Sequence, residues 1–385
     1  MKEKISIMSM ASVSALGNND QQIWMQYLSE NHSFKNKTLN GIESLVSGLS
    51  DNNWNTVNRL KESPQFKNLD PSVLLAIEVS RKAVAKVSWN NKSFGVNIGS
   101  SRGATTLFEK YHSEFIHSKN AKVSTLSSPT TTLGNISSWV GHDLQSNGPT
   151  ISHSIACSTA LHAILNGIAW ITSGMADRFL VGGSEASNTP FTIAQMKALK
   201  IYSKGKSAYP CKTLDLNKKQ NTMIMGEGAA VFCLEKGPKK NAIAIIEGVG
   251  YATEPLKHHI SISTNADCFQ KSMAMATEAV QLQDIDIIVM HAPGTIKGDA
   301  SEYNAIKHVF KDNTPALTSN KWKIGHTLGA SGGLSLELAI LMLQRQQFIS
   351  IPFLKDQKHP TNLKKILVNA VGFGGNAVSL LIALN

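Results

Sequence analysis

Charge is scarce in this chain. Asp, Glu, Lys and Arg make up 17% of its 385 residues, against roughly 25% in an ordinary soluble domain. Cysteine is scarcer still. The four cysteines, at 157, 211, 233 and 268, form no Cys-x-x-Cys pair, which argues against a zinc site and a disulfide framework. Reduced thiols in the cytoplasm are the simpler reading. With 28 Gly and 12 Pro the chain is no collagen. No apolar run reaches the roughly 18 residues of a membrane span; the best candidate, Leu161 to Gly174, is broken by His162, Asn166 and Gly167. There is no arginine-rich run or helix-turn-helix pattern, which argues against a nucleic-acid partner. No Gly-x-Gly-x-x-Gly opens a helix, so a nucleotide cofactor has no support.

What remains is apolar and basic. Hydrophobic residues reach 42%, which rules out disorder and supplies a core without covalent staples. The length suits two domains, or one domain built from two halves. The net charge is +11, a balance that favours an acidic partner. Ile5 to Val13 faintly resembles a signal peptide, but it is short and broken by serines, so it is read as a buried first strand.

The sequence carries a weak internal echo. Ile5–Gly17 and Ala242–Gly250 both read as a strand entering a turn. Phe94–Gly99 and Ile285–Met290 are short strands opening into Gly-rich loops. Ala229–Glu235 and Ala377–Ala383 each close a half. Short apolar strands alternating with helices predict largely parallel α/β layers. Asp70-Pro71 predicts a helix start running through Val87, with Asp as N-cap and Pro at its first position. A second helix follows Cys157 and stops at Ser173-Gly174, and a third runs from about Gly332 to Met342. Residues 34–68, rich in Asn, Ser and Lys, read as a loop-rich insertion.

Three residues could carry chemistry. Cys157 lies at the start of an apolar helix, where unpaired N–H groups favour a thiolate. His291 ends a buried strand at His-Ala-Pro-Gly-Thr295, where α/β folds place site residues. His326 sits among glycines in Lys321-Trp-Lys-Ile-Gly-His-Thr-Leu-Gly-Ala-Ser-Gly332. One Cys and two His suit acyl transfer: the sulfur attacks a thioester and imidazoles bind the developing oxyanion. Gly329-Ala-Ser-Gly-Gly333 formally matches a serine-hydrolase elbow, without a convincing strand before it.

In this order the motifs resemble the β-ketoacyl-acyl carrier protein synthases of the elongating type, members of the thiolase superfamily. The resemblance runs over nearly the whole chain. It rests on Ser14-Ala-Leu-Gly17, Ala156-Cys-Ser158, Cys211-Lys-Thr-Leu-Asp215 and Met225-Gly-Glu-Gly-Ala229. It continues through His291 to Glu302, Lys321 to Gly332, and Gly372-Phe-Gly-Gly-Asn376. It implies a five-layered α/β/α/β/α fold of two pseudo-symmetric halves, residues 1–240 with the nucleophile and 241–385 with the two histidines.

The resemblance also implies roles. Cys157 takes the acyl chain, and His291 and His326 bind the malonyl thioester and its enolate. Lys321 and Glu302 order the histidines and the charge. Phe373 gates the site on a glycine loop with Gly374, and Thr295 meets phosphopantetheine. The backbone N–H groups of Cys157 and Phe373 form an oxyanion hole. No metal or other cofactor is implied. The partners implied are an acidic acyl carrier protein and a second subunit, a copy of the chain or a chain-length-factor-like relative, meeting near Ile136, Trp139 and Val140. Lys61, Lys67, Lys204 and Lys206 are candidate carrier contacts. Three departures stand out. Ala292-Pro293 replaces the usual Gly-Thr, a threonine is missing before Asn376, and Gln220-Asn-Thr222 replaces Arg-Asp-Gly. They suit a specialised polyene- or polyketide-like pathway. A non-catalytic chain-length-factor-like subunit and a coenzyme A thiolase are the alternative readings.

Overall fold

The computed structural model describes residues 3–89, 93–119, 122–133, 135–205, 207–255 and 262–385. Its strands are β1 (Ile5–Val13), β2 (Lys35–Leu39), β3 (Ile42–Ser47), β4 (Gly95–Gly99), β5 (Thr150–Ile151), β6 (Arg178–Glu185), β7 (Met225–Gly226), β8 (Gly228–Lys236), β9 (Ala244–Thr253), β10 (Ile287–Val289), β11 (Ala316–Thr318), β12 (Lys365–Gly372) and β13 (Asn376–Ala383). They form two five-stranded sheets, ordered β1-β8-β6-β4-β5 and β11-β10-β12-β13-β9, and a small third sheet, β2-β3-β7.

Read from β9, the second sheet repeats the first strand for strand. β1 and β9 take the same place, as do β8 and β13, and β4 and β10. These are the three pairs that echo in the sequence. Even an irregularity recurs: the β1–β8 register shifts between Ile7 and Ser9, and the β9–β13 register slips in the matching stretch of β9. Helices Pro71–Ala85 and Asn135–Asp143 cover the outer face of the first sheet. Helices Thr159–Thr172 and Ser331–Arg345 lie between the two sheets, and Asp267–Thr277 and Ile296–Phe310 cover the second. This is the five-layered, thiolase-like arrangement of two related halves.

The middle layer explains the apolar run at 161–174. Leu161, Ile164, Ile168 and Ile171 are buried against strands of both halves. A helix enclosed on two faces needs a wide apolar surface. Helix Pro71–Ala85 begins as read: Asp70 accepts the Ser72 N–H, and Pro71 stands at the first position. It ends two residues before Val87. Among the described residues no helix is long and apolar enough to cross a membrane.

Three expectations need correction. The sheets are mixed, not largely parallel: in each, two of the four strand pairings are parallel and two are antiparallel, both of the latter made by β8 in the first sheet and by β13 in the second. The three-residue turn between β12 and β13 can only return the chain antiparallel. Residues 34–68 are not loop-rich but form the β2–β3 hairpin, helix Asp51–Asn58 and two 3-10 turns. Asn40 and Gly41, with φ of 50° and 77°, are the two-residue turn that signals a tight hairpin; the exposed Lys35, Asn36 and Lys37 gave the strand its loop-like composition. Finally, Ile136 and Val140 lie inside the core between helices, with Trp139 packed edge-on against Phe66. Ile136 and Val140 fill the monomer and are not free for a partner, whereas Trp139 is half-buried and keeps part of its surface exposed.

Candidate active site

Cys157 follows Ala156, whose φ of 45° is left-handed. A residue with a Cβ rarely adopts this conformation, at a cost of order 1–3 kcal/mol. Hydrogen bonds hold the turn in place. The Ile155 N–H donates to Thr159 Oγ1 at 2.9 Å, and that hydroxyl donates to the Ala156 carbonyl at 2.6 Å. Gly372 closes the turn from the other half. A Cβ at Gly372 would lie 2.5 Å from the Ile155 carbonyl and 3.1 Å from Ala156 Cβ, so only glycine lets the end of β12 approach the nucleophile turn so closely.

Cys157, His291, His326, Thr295 and Phe373 line one cavity of about 520 Å³. The two imidazole rings lie edge to face, with centroids 5.1 Å apart at 83°. Both Nδ1 atoms are sealed inside the protein without a hydrogen-bond partner among the described residues, which leaves Nε2 to meet a molecule in the cavity. Burial, aided by Lys321, lowers both pKa values: His326 falls to about 3, and His291 falls well below the ordinary range. Both rings are therefore neutral near pH 7, and a neutral imidazole has one N–H to donate.

His291 is positioned by Glu302. This buried carboxylate, on helix Ile296–Phe310, accepts the backbone N–H of His291 at 2.9 Å and of Ala292 at 2.8 Å. Asn369 on β12 donates to the same carboxylate at 3.2 Å. His326 is held through its backbone: its N–H donates to the Ile224 carbonyl, and its own carbonyl accepts from Gly226. This contact explains the Met225-Gly-Glu-Gly segment. Cys211 to Asp215 likewise straps down the loop after His291. Thr213 donates to the Ala292 carbonyl at 2.5 Å, and the Leu214 N–H donates to Asp299 at 2.9 Å.

Lys321 is fully buried and its ammonium has no hydrogen-bond partner among the described residues. Burial pulls its pKa down to about 8, opposed first by Glu302 and then by Cys157. Burial pushes Glu302 up to about 7, against the pull of its backbone and Asn369 donors. Thr295 lines the cavity, and its hydroxyl oxygen caps helix Ile296–Phe310 by accepting the Gly298 N–H at 3.1 Å. Phe373 is 44% exposed at the cavity mouth, on a turn where Gly374 and Gly375 have φ of 99° and 70°.

The thiolate expectation needs correction. Burial and the Glu185 carboxylate push the Cys157 thiol up to about 12, with Lys321 and Arg102 pulling it back only in part. Burial, the largest influence on the group, favours the thiol over the thiolate at rest. Ser331 of the formal hydrolase motif is buried at the start of a middle-layer helix, preceded by a 3-10 turn and not by a strand. Cys211, Cys233 and Cys268 are buried and do not line the cavity.

Sequence reasoning missed three site residues. Asp299 is buried and pairs with Lys218 at 2.8 Å while holding the Gly294 N–H. Arg102 and Glu185 flank the nucleophile with opposite charge. Glu185 had a signal, an acid ending the buried strand Phe179 to Glu185. The lysines also fell differently. Lys297 lines the cavity mouth. Lys61 and Lys67 lie on the turns before helix Pro71–Ala85, away from the cavity lining. Lys204 is exposed three residues beyond the cavity-lining Ile201, and Lys206 lies outside the described residues.

Comparison with known proteins agrees with this geometry. The family model "Beta-ketoacyl synthase, N-terminal domain" matches residues 2–240, and "Beta-ketoacyl synthase, C-terminal domain" matches 243–352. A 3-oxoacyl-[acyl-carrier-protein] synthase 2 of Coxiella burnetii is 24% identical, covering 99% of each chain. The chloroplastic 3-oxoacyl-[acyl-carrier-protein] synthase I of Arabidopsis thaliana is 26% identical over 80% of this chain and 71% of its own. Among solved structures, the ishigamide ketosynthase/chain length factor superposes with a TM-score of 0.86 over 100% of both chains, at 18% identity. A β-ketoacyl synthase from Burkholderia phymatum gives 0.84 at 20% identity, again over 100% of both. Together, the two matching domain models and the duplicated fold establish that the chain belongs to the β-ketoacyl synthase family of thiolase-like condensing enzymes.

Proposed function

We propose that this chain is an active β-ketoacyl-acyl carrier protein synthase. The observation that carries the reading is the single cavity on whose wall Cys157, His291 and His326 meet. The Cys157 sulfur attacks the thioester of an acyl chain, forming a new thioester and breaking the carrier's carbon–sulfur bond. The thiol proton passes to the departing pantetheine sulfur as that bond breaks. A malonyl thioester then loses carbon dioxide. The Nε2–H groups of His291 and His326 stabilise the enolate oxygen, and the enolate carbon attacks the acyl-Cys157 carbonyl. The carbon–carbon bond forms as the Cys157 sulfur leaves as a thiolate, which takes up one proton from water to restore the thiol. The N–H groups of Cys157 and Phe373 stabilise the tetrahedral oxyanion. Lys321 adds positive potential, Thr295 and Asn221 face the pantetheine arm, and Phe373 gates the mouth. No metal or further cofactor enters these steps. Met196, Leu199, Met223 and Leu328, lining the cavity with Cys157, suit an apolar acyl chain.

The test is intact mass. Incubation with an acylated carrier protein adds one acyl mass, and peptide mapping places it on Cys157. Acylation at Cys211, Cys233 or Cys268, or none with any carrier or chain length, overturns the reading. A retained cysteine on the cavity wall disfavours the chain-length-factor-like alternative. Among the described lining residues Cys157 is the sole cysteine, which disfavours a thiolase, whose chemistry uses a second.

The partner class is an acidic carrier protein, met at Lys297. Exposed charges are screened over about 10 Å at 0.1 M salt. Carrier loading should therefore slow with ionic strength, and Lys297→Glu should slow it at low salt while leaving alkylation of Cys157 by iodoacetamide unchanged. A flat salt response sinks the assignment.

The chain works as a dimer, with a copy of itself or a related subunit. The far edge of β5 is unpaired among the described residues, and Phe108, Phe115 and Ile116 on helix Thr105–His117, with Leu133 beyond it, expose apolar surface. An obligate interface should exceed about 2,000 Å². Sedimentation should show a dimer at micromolar concentration, weakened by Ile116→Asp; a fully active monomer would refute it.

A further inference from the structure

Glu185 is the most heavily bonded buried acid next to the nucleophile, and the steps above leave it without a role. It ends β6 and has no exposed surface. Its carboxylate takes four donors from two separate segments. Oε1 accepts from the Ser100 hydroxyl at 2.9 Å and the Arg102 N–H at 3.3 Å. Oε2 accepts from the Ser101 N–H at 2.8 Å and the Gly329 N–H at 2.9 Å. The first segment, Ser100–Arg102, leads out of β4. Its Ser101 carbonyl accepts from the Ser154 hydroxyl at 2.9 Å, three residues before Cys157. The second, at Gly329, lies three residues after His326 and next to the cavity-lining Leu328.

The fit leaves no slack. A Cβ at Gly329 would lie 2.4 Å from the Ser101 nitrogen and 2.8 Å from Glu185 Oε2, and one at Gly183 would lie 2.6 Å from the Gly329 carbonyl. Both segments are thus packed to backbone contact around one carboxylate. Resting on the reading of Cys157 as nucleophile, we infer that Glu185 is a positioning residue: it sets the nucleophile turn and the His326 loop in register and holds a negative charge beside the thiol.

The charge half of the inference follows from the same geometry, since Glu185 is tied through Ser101 and Ser154 to the turn that carries Cys157. Burial raises the Glu185 carboxyl to about 7 against its four donors, so it is charged at pH 8; Lys321 and Arg102 supply the opposing positive charge, and the neutral His291 and His326 share the cavity. Removing Glu185's charge leaves the two cations unopposed, so the thiol must ionise more easily. Position and reactivity then move in opposite directions. A merely structural acid would lower both.

Iodoacetamide alkylation of Cys157, followed by peptide mass across pH 7–10 on the full chain, reads the charge. Glu185→Gln keeps the size but turns a donor toward the Ser101 or Gly329 N–H. It should alkylate about tenfold faster at pH 8, one unit of thiol titration, while condensation falls about 10²-fold from the displaced loops. Glu185→Asp keeps the charge and shortens the reach, so condensation should fall with the alkylation profile unchanged. Glu227→Gln is the control: this buried acid accepts from Leu49 and Trp54 and should not move the profile. If Glu185→Gln does not fold, Glu185→Asp decides the positioning claim. Wild-type alkylation and condensation in the variant that folds overturn the inference, and so does slower alkylation in Glu185→Gln. If wild type is never acylated by a carrier, the ketosynthase reading fails, while the alkylation profiles still judge Glu185.

Discussion

Replacing Cys157 with alanine is expected to abolish condensation, by about 10⁴-fold or more, because every carbon–carbon bond the mechanism makes passes through its thioester. The loss should be chemical and not structural. Cys157 fills a cavity wall, and removing one sulfur there leaves the Ile155–Thr159 hydrogen bonds intact. Carrier loading, read by intact mass, should vanish with it. Malonyl decarboxylation should be affected less, since the histidines remain. The measurements are product formation, adduct mass and melting temperature on the same sample. Condensation above one hundredth of wild type, or an adduct that persists on another residue, would remove Cys157 from its role.

The second large effect belongs to the histidines. His291→Ala and His326→Ala should each retain acyl loading of Cys157, while malonyl decarboxylation falls by about 10²–10³, the usual cost of one preorganised oxyanion donor. The pH dependence follows from the charge states. With His326 at about 3 and His291 lowered too, neither ring gains a proton between pH 5 and 7. No acid limb should come from them. Lys321 lies at about 8. Its charge is present below that pH and lost above it, so decarboxylation should decline as pH rises through about 8. Glu302, at about 7, gains negative charge over the same range and works in the same direction. Lys321→Ala should lower the rate and flatten the decline. An unchanged rate in both histidine variants would remove them from the enolate step, and a rate that rises with pH would contradict the role given to Lys321.

The sequence by itself determined the local facts. The Asp70-Pro71 cap, the apolar periodicity after Cys157 and the three echoing strand pairs were legible because each depends on residues close in the chain. The cysteine and the two histidines were legible as a set because ordered motifs surround them. The tertiary structure decided whatever depends on contacts between distant segments. Strand direction was one such property: the antiparallel return of β8 and β13 follows from chain path, not from composition. Ile136 and Val140 were another, since an apolar residue reads alike in a core and at an interface, and only their enclosure by the core of the first half separated the two. The charge of Cys157 was a third. A helix terminus is visible in sequence, but burial and the approach of Glu185 from 28 residues away in the chain are not, and both favour the thiol. Glu185, Asp299 and Lys218 escaped notice for the same reason: a buried acid shows its purpose only when the N–H groups and cations it holds are brought to it by the fold.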